Sequence, residues 1–98
     1  MREEKVFEKR LLVSDVRWGY LRIPMESVTT FPHPVEGDFD LKMGKKLIRR
    51  ARLDAGGSRI WVGRRAFEDF NQGDLIECLK VDDRLFEIRR VKDSTLHR

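Results

Sequence analysis

The sequence predicts a mostly β fold, namely a small pseudo-symmetric open barrel of six to seven strands with one or two short helices. Its apolar residues come in short runs that Gly, Pro, Asn and Asp interrupt, a pattern typical of strands and turns and not of long amphipathic helices. The 98 residues, 40% of them hydrophobic, are enough for one hydrophobic core but not for two. We therefore expect a single domain over residues 1–98.

The order of the elements follows from these runs. Strands are expected near residues 5–13, 19–23, 46–54, 58–62, 74–81 and 85–91. Two short helices are expected, at Glu26–Thr30 and at Arg64–Phe70, the second because its two phenylalanines are three residues apart and would share one face. The two ends, residues 1–4 and 94–98, are expected to be flexible.

Loops and turns separate these strands. Two prolines one residue apart exclude a central strand from segment 31–37, and no clear strand is expected between Pro34 and Gly44. A tight turn at Asp54–Ser58 would join the strands on either side of it as a hairpin, and a second turn at Val81–Arg84 would join the last two strands.

The two halves of the chain are weakly similar to each other. The tripeptide RIP at 22–24 recurs as RIW at 59–61, and the Gly-Asp pair at 37–38 recurs at 73–74, a spacing of about 36 to 37 residues. Each half would then contain a strand, a short helix or loop, a Gly-Asp turn and a returning strand. Two such units facing each other would form the pseudo-symmetric barrel.

Positive charge is concentrated in the middle of the chain. The formal net charge is +4, but nine of the 21 basic residues lie between Leu41 and Arg65 against a single acid, Asp54. The flanking segments, 1–40 and 66–98, each hold six bases and eight acids. A concentrated basic patch can bind a polyanion with a salt-dependent affinity, although basic residues also simply solvate one face of a small domain.

Several function classes lack the residues they need. One cysteine and two histidines exclude an internal disulfide and an ordinary Cys/His zinc site, and Cys78 is expected to be a small buried side chain. No signal peptide or membrane-length apolar run is present, so a cytoplasmic location and no membrane partner are expected. An Asp-x-Asp-x-Lys sequence at 38–42, with Asp15 as a distant partner, is only a weak nuclease signal. We expect no enzyme activity, no metal and no cofactor.

Alternation along the strands assigns side chains to faces, because successive strand residues point to opposite sides. The inward-facing set comprises Leu21, Ile23, Ala51, Leu53, Ile60 and Val62. The outward-facing set comprises Tyr20, Arg22, Arg50, Arg52, Arg59 and Trp61. The predicted hairpin around 54–58 would therefore present Arg50, Arg52, Arg59 and Trp61 together on one exposed surface.

The second half of the chain resembles a known superfamily. The sequence GSRIWVGRRAFEDFNQGDLIE at 57–77, followed by LFEIRR at 85–90, resembles the DNA-binding pseudobarrel superfamily of plant transcription-factor domains and restriction-endonuclease DNA-reading domains. The tripeptide at 22–24 and the Gly-Asp turns are similar to AbrB-type swapped-hairpin DNA binders. The pseudobarrel resemblance covers roughly 46–91 and implies two arms in the major groove of DNA. These would be residues 14–18 with Arg22, and residues 52–61.

The sequence therefore predicts a non-catalytic domain that binds double-stranded DNA through a basic hairpin and an N-terminal arm. The expected DNA contacts come from Arg17, Trp18, Arg22, Arg50, Arg52, Ser58, Arg59, Trp61 and Arg64. Accessory phosphate contacts are expected from Lys42, Lys45 and Lys46.

Alternatives to this function remain open. The chain could serve as a protein-interaction or dimerisation module of the antitoxin or adaptor type, or as a binder of single-stranded nucleic acid or RNA. For both tryptophans, packing in the core is the alternative to base stacking. Further expected partners are a second copy of the chain or a catalytic partner subunit.

Overall fold

A computed structural model describes residues 3–54 and 58–91, which are mostly β. The strands are β1 (Glu4–Arg10), β2 (Tyr20–Arg22), β3 (Phe39–Met43), β4 (Lys46–Ala51), β5 (Arg59–Trp61), β6 (Leu75–Asp82) and β7 (Leu85–Arg90). The same residues contain one α-helix, α1 (Val13–Trp18). They also contain three 3-10 helices, η1 (Met25–Thr30), η2 (Pro34–Glu36) and η3 (Arg64–Phe67). The predicted fold class and both predicted short helices, η1 and η3, are confirmed.

The strands form two sheets. The larger is a mixed five-stranded sheet in the order β1-β6-β7-β3-β4, in which only the β3–β7 pair is parallel. The smaller is an antiparallel ribbon of β2 and β5. Since β1 lies along the outer edge of β6 and β4 forms the opposite edge, the larger sheet stays open. Over the described residues it closes no barrel.

The weak sequence repeat corresponds to a repeated order of elements. The first half runs β2, η1, η2, β3, β4, and the second half runs β5, η3, β6, β7, so that only η2 has no counterpart. The first strand of each unit pairs with the first strand of the other to form the ribbon. The last two strands of each unit form a hairpin within the larger sheet.

The hydrophobic core lies between the larger sheet and the ribbon. Phe31, which follows η1, packs its ring against the rings of Phe7, Phe39 and Phe86 at centroid distances of 6.5, 5.4 and 4.4 Å. The inner face of the ribbon belongs to the same buried cluster. Cys78 is fully buried there, as expected, and burial raises the pKa of its thiol to about 12.

The first arm forms a helix, and the strand predicted before it is shorter than expected. β1 stops at Arg10, and the apolar run that suggested a strand to residue 13 continues into α1. Asp15 starts this helix because its Oδ2 accepts a hydrogen bond from the Leu12 amide at 2.9 Å. Gly19, in the left-handed region at φ 76°, ends it.

β3 was not expected from the sequence, because the two prolines before it suggested a continuing loop. Its alternation is nevertheless regular, with Phe39, Leu41 and Met43 buried and Lys42 exposed. Hydrogen bonding to β4 on one side and β7 on the other stabilises it. β3 is therefore an interior strand of the larger sheet.

The predicted hairpin around 54–58 is wrong in its pairing. β4 pairs with β3, and β5 pairs with β2. The remaining link is an isolated antiparallel bridge between Leu53 and Ile60. The interior of the predicted turn, residues 55–57, lies outside the described residues, as do residues 1–2 and 94–98 of the ends predicted to be flexible. Glu4, in the other part of the predicted N-terminal end, is the first residue of β1. The turn between β6 and β7 is confirmed.

Candidate nucleic-acid interface

The ribbon presents four large polar or aromatic side chains on its outer side. β2 and β5 pair in the register Tyr20–Trp61, Leu21–Ile60 and Arg22–Arg59. The central pair is fully buried, so alternation places the two flanking pairs on the opposite side. We call Tyr20, Arg22, Arg59 and Trp61 the ribbon face. The faces assigned from sequence to these two strands are correct.

Arg59 is held in place from two directions. Its Nε donates a hydrogen bond to Asp54 Oδ2 at 2.9 Å, and its guanidinium carbon lies 4.6 Å from the centre of the Tyr20 ring. Both contacts leave the terminal nitrogens of the guanidinium for a ligand. A guanidinium fixed in this way loses little conformational entropy on binding an anion.

Arg22 lies directly across the ribbon from Arg59. Like charges directly opposite each other in an antiparallel pair are destabilising. Within residues 3–54 and 58–91, the Arg22 guanidinium forms no ion pair that would offset this. Asp54 offsets the charge of Arg59, so the charge of Arg22 is the one that a bound anion would offset.

Both tryptophans are on the surface, which excludes the alternative that they pack in the core. Trp18, the last residue of α1, is 62% exposed, and Trp61 is 63% exposed. The Arg17 guanidinium lies 5.9 Å from the centre of the Trp18 ring. Exposed aromatic side chains next to arginines are suited to stacking on bases or sugars.

A close backbone contact holds the end of α1 against the segment that follows β5. The Gly19 carbonyl accepts hydrogen bonds from the amides of Val62 and Gly63 at 2.8 and 3.0 Å. A Cβ at position 19 would lie 2.7 Å from the Gly63 carbonyl carbon and 2.8 Å from the Arg64 nitrogen. The end of α1 therefore lies against the segment that follows β5, and exposed Arg64 lies beside it.

A cleft of about 360 Å³ opens between α1 and the ribbon. It is lined by Ser14, Asp15, Trp18, Tyr20, Arg22 and Arg59. Three of the nine DNA-contact residues predicted from sequence, Trp18, Arg22 and Arg59, therefore surround one concave site.

Asp15 supports this cleft, a role that the sequence did not reveal. It is 1% exposed, and its carboxylate accepts from Lys9 Nζ at 2.9 Å and from the amides of Leu12 and Arg22 at 2.9 and 3.4 Å. The available signal was an acid three residues after the start of a helix that ends in glycine. The described part of the chain contains no group of three His, Cys, Asp or Glu side chains suited to a metal ion.

The rest of the second arm is only partly joined to the ribbon. The Leu53–Ile60 bridge places Arg52 beside the ribbon, where its Nε donates to Asp38 Oδ1 at 2.7 Å while the side chain stays 60% exposed. The Ser58 carbonyl accepts from the Ile23 amide at 2.6 Å. Ser58 thus fixes the ribbon register through its backbone.

Arg50 does not share the ribbon face, contrary to the prediction. It belongs to β4 in the larger sheet, where two residues, Arg49 and Arg50, lie opposite the single residue Asp40. This β-bulge gives Arg50 a φ of 60° and leaves both arginines exposed. The alternation that assigned Arg50 to a common face with Arg52 is interrupted by this bulge.

The three lysines predicted as accessory contacts lie at the β3–β4 turn of the larger sheet. Lys46 forms an ion pair of 2.9 Å with Glu68, and the Lys45 amide donates to Asp69 at 3.1 Å. Lys42 is exposed on β3. The structure does not bring these residues onto the ribbon face.

Much of the central basic run is free of internal partners. Within the residues that the structure describes, six of its nine basic side chains form no ion pair: Lys42, Lys45, Arg49, Arg50, Arg64 and Arg65. By contrast, Lys5 and Lys9 on β1 and Arg89 and Arg90 on β7 are all paired with acids. The central charge is therefore available to an external anion.

No helix among the described residues is long and apolar enough to cross a membrane. Comparison with models of known protein families gave no match, and comparison with curated proteins gave none either.

Proposed function

We propose that the chain binds double-stranded DNA without catalysis, with the ribbon face in the major groove. The observation that carries this proposal is the Arg22–Arg59 pair on the outer side of a ribbon that stands apart from the main sheet. The major groove of B-DNA is about 12 Å wide and admits a two-stranded ribbon. Two strands about 4.8 Å apart fit within that width.

The residues around the ribbon would divide the work of binding. Arg59, fixed by Asp54 and Tyr20, is suited to a bidentate contact with guanine O6 and N7 or with a phosphate. Arg22 would join it, while Arg64 would contact a phosphate beside the groove. The unpaired bases elsewhere in the central run would add salt-dependent affinity without sequence preference.

Single-stranded nucleic acid or RNA is the second candidate, and the exposure of both tryptophans favours it. Stacking of a base on an aromatic side chain contributes about 1–3 kcal/mol and does not depend strongly on sequence. Trp18 and Trp61, each more than 60% exposed, could serve as such a platform. The arginine pair would then bind the backbone of the strand.

Fluorescence anisotropy distinguishes these candidates. Labelled duplex DNA, one of its single strands and an RNA of the same sequence are titrated with the protein at two salt concentrations. We expect the duplex to bind most tightly, with an affinity that falls steeply as salt rises. Tighter binding of the single strand or RNA would favour the second candidate. Salt-insensitive self-association without retention of DNA would instead favour the interaction-module alternative and refute the proposal.

Single substitutions locate the contact surface. Arg22→Ala and Arg59→Ala are each expected to weaken duplex binding by about 1–3 kcal/mol, and adding Arg52→Ala to Arg59→Ala weakens it further. The melting temperature should barely change, since exposed ion pairs contribute little to stability. Arg89→Ala, an exposed and ion-paired arginine on β7, is the matched control and should bind like the parent. Equal affinity for all variants would exclude the ribbon face.

The cellular setting belongs to the same proposal. A non-catalytic DNA binder of this size would act as a regulator of transcription, alone or as a homodimer, or would position a catalytic partner subunit on DNA. The cytoplasm, where the thiol of Cys78 stays reduced, is the compartment that we propose for it.

A further inference from the structure

We infer that the cleft between α1 and the ribbon binds one unpaired nucleotide of a DNA strand. This inference rests on the proposed function, which it extends from a paired duplex to a specific defect within it. A cleft of about 360 Å³ lies near the lower end of the range of roughly 300–1,000 Å³ in which proteins bind small organic ligands. It therefore has room for a single nucleotide and not for a stack of several.

The aromatic wall of the cleft supplies a stacking surface. Tyr20 already carries the Arg59 guanidinium against its ring, so Trp18 is the ring that remains for a base. Its 62% exposure means that neighbouring side chains leave much of the indole open. A base stacked there would cover an apolar surface that otherwise faces water.

The cationic side of the cleft supplies a site for the phosphate. Arg22 has no ion pair among residues 3–54 and 58–91. Arg59 donates to Asp54 through Nε, a hydrogen bond that does not use its two terminal nitrogens. A phosphate bound here would accept hydrogen bonds from both guanidinium groups and would offset the charge of Arg22. Ser14, exposed in α1, adds a hydroxyl that can donate to or accept from a base edge.

The cleft lies where a DNA strand bound to the ribbon face would pass. Arg22 and Arg59 belong both to the ribbon face and to the lining of the cleft, so a strand held by the ribbon passes the mouth of the cleft. Moving a paired base into it would require breaking that pair and its stacking. A nucleotide that is already unpaired avoids most of this cost. The chain should therefore prefer a duplex with one unpaired nucleotide to a perfectly paired one.

The test compares two labelled duplexes that differ by one extra nucleotide in one strand, again by fluorescence anisotropy. We expect the bulged duplex to bind about 5- to 10-fold more tightly, the lower part of the stacking range. Trp18→Ala should abolish this ratio, and Trp18→Phe should largely preserve it. Trp61→Ala is the matched control because Trp61 is equally exposed but does not line the cleft. It should weaken binding of both duplexes alike and leave their ratio unchanged.

A filling variant makes the test independent of Trp18. Ser14→Phe, at an exposed position, should occupy the cleft and bring the ratio of the affinities for the bulged and the perfect duplex to about one. Circular dichroism melts confirm that each variant is folded. Equal binding of both duplexes by the parent, or a ratio that survives both Trp18→Ala and Ser14→Phe, would overturn this inference alone. Absence of binding to either duplex would overturn the proposed function and this inference together.

Discussion

Gly19→Ala tests how closely the end of α1 approaches the segment that follows β5. Gly19 has a φ of 76°, where a side chain costs about 1–2 kcal/mol. The new Cβ would also lie 2.7 and 2.8 Å from two backbone atoms, which cannot rotate away as a side chain can. Overpacking of this kind costs about 1–3 kcal/mol. We expect a total destabilisation of about 3 kcal/mol from these two effects.

The assay is thermal unfolding followed by far-UV circular dichroism. For a domain of this size, 3 kcal/mol corresponds to a fall in melting temperature of roughly 12–24 °C. Gly73→Ala is the matched control, since Gly73 has a φ of 89° but a Cβ there would have no neighbour within 4 Å. Gly73→Ala should lower the free energy of unfolding only by the cost of placing a side chain at a positive φ, about 1 kcal/mol. Equal melting temperatures for the two variants would refute the close approach.

Three further predictions concern stability. Asp15→Ala should lower the free energy of unfolding by about 3–5 kcal/mol because it leaves Lys9, whose side chain is 14% exposed, without its partner; in urea titrations, Asp15→Ala combined with Lys9→Met should lose less. Arg84→Met should lose about 1–2 kcal/mol, since Arg84 donates to two backbone carbonyls of the segment before β3 at 2.7 and 2.8 Å; an unchanged urea midpoint would contradict this. Burial raises the pKa of Cys78 to about 12 from its usual value of 9.0, so the native thiol keeps its proton at a pH where the unfolded thiol has lost it. The protonated thiol therefore makes its full contribution to the free energy of unfolding below pH 9. Above that pH the free energy of unfolding falls by about 1.4 kcal/mol per pH unit. In urea titrations between pH 8 and about pH 10, the midpoint of the parent should show this fall and that of Cys78→Ala should not.

The sequence was most informative where local periodicity decides the structure. Alternation assigned Leu21 and Ile60 to the core and Arg22 and Trp61 to the surface, because a strand with one buried face must alternate. The 3-10 helices at 25–30 and 64–67 and the turn between β6 and β7 also follow from nearby residues. These features are contained in short stretches of chain, and short stretches are what a single sequence shows.

The sequence was least informative where distant segments compete for one partner. The basic residues before and after 54–58 suggested a local hairpin, but β5 pairs with β2, nearly 40 residues away. No local pattern reports such a pairing. The position of Arg50 was missed for a related reason, since a bulge against β3 can be recognised only when β3 is known. The cleft likewise depends on the pairing of β2 with β5, which brings Arg59 to the side of α1.

The origin of the two ribbon strands determines when the ribbon face can form. One of its strands comes from the first half of the chain and the other from the second, so neither half contains a complete ribbon face. During synthesis, the face cannot form until Trp61 has left the ribosome. A fragment covering 46–91, the region with the family resemblance, would carry Arg59 without Arg22. Two complementary fragments that fold only together would therefore form the ribbon face only when they associate.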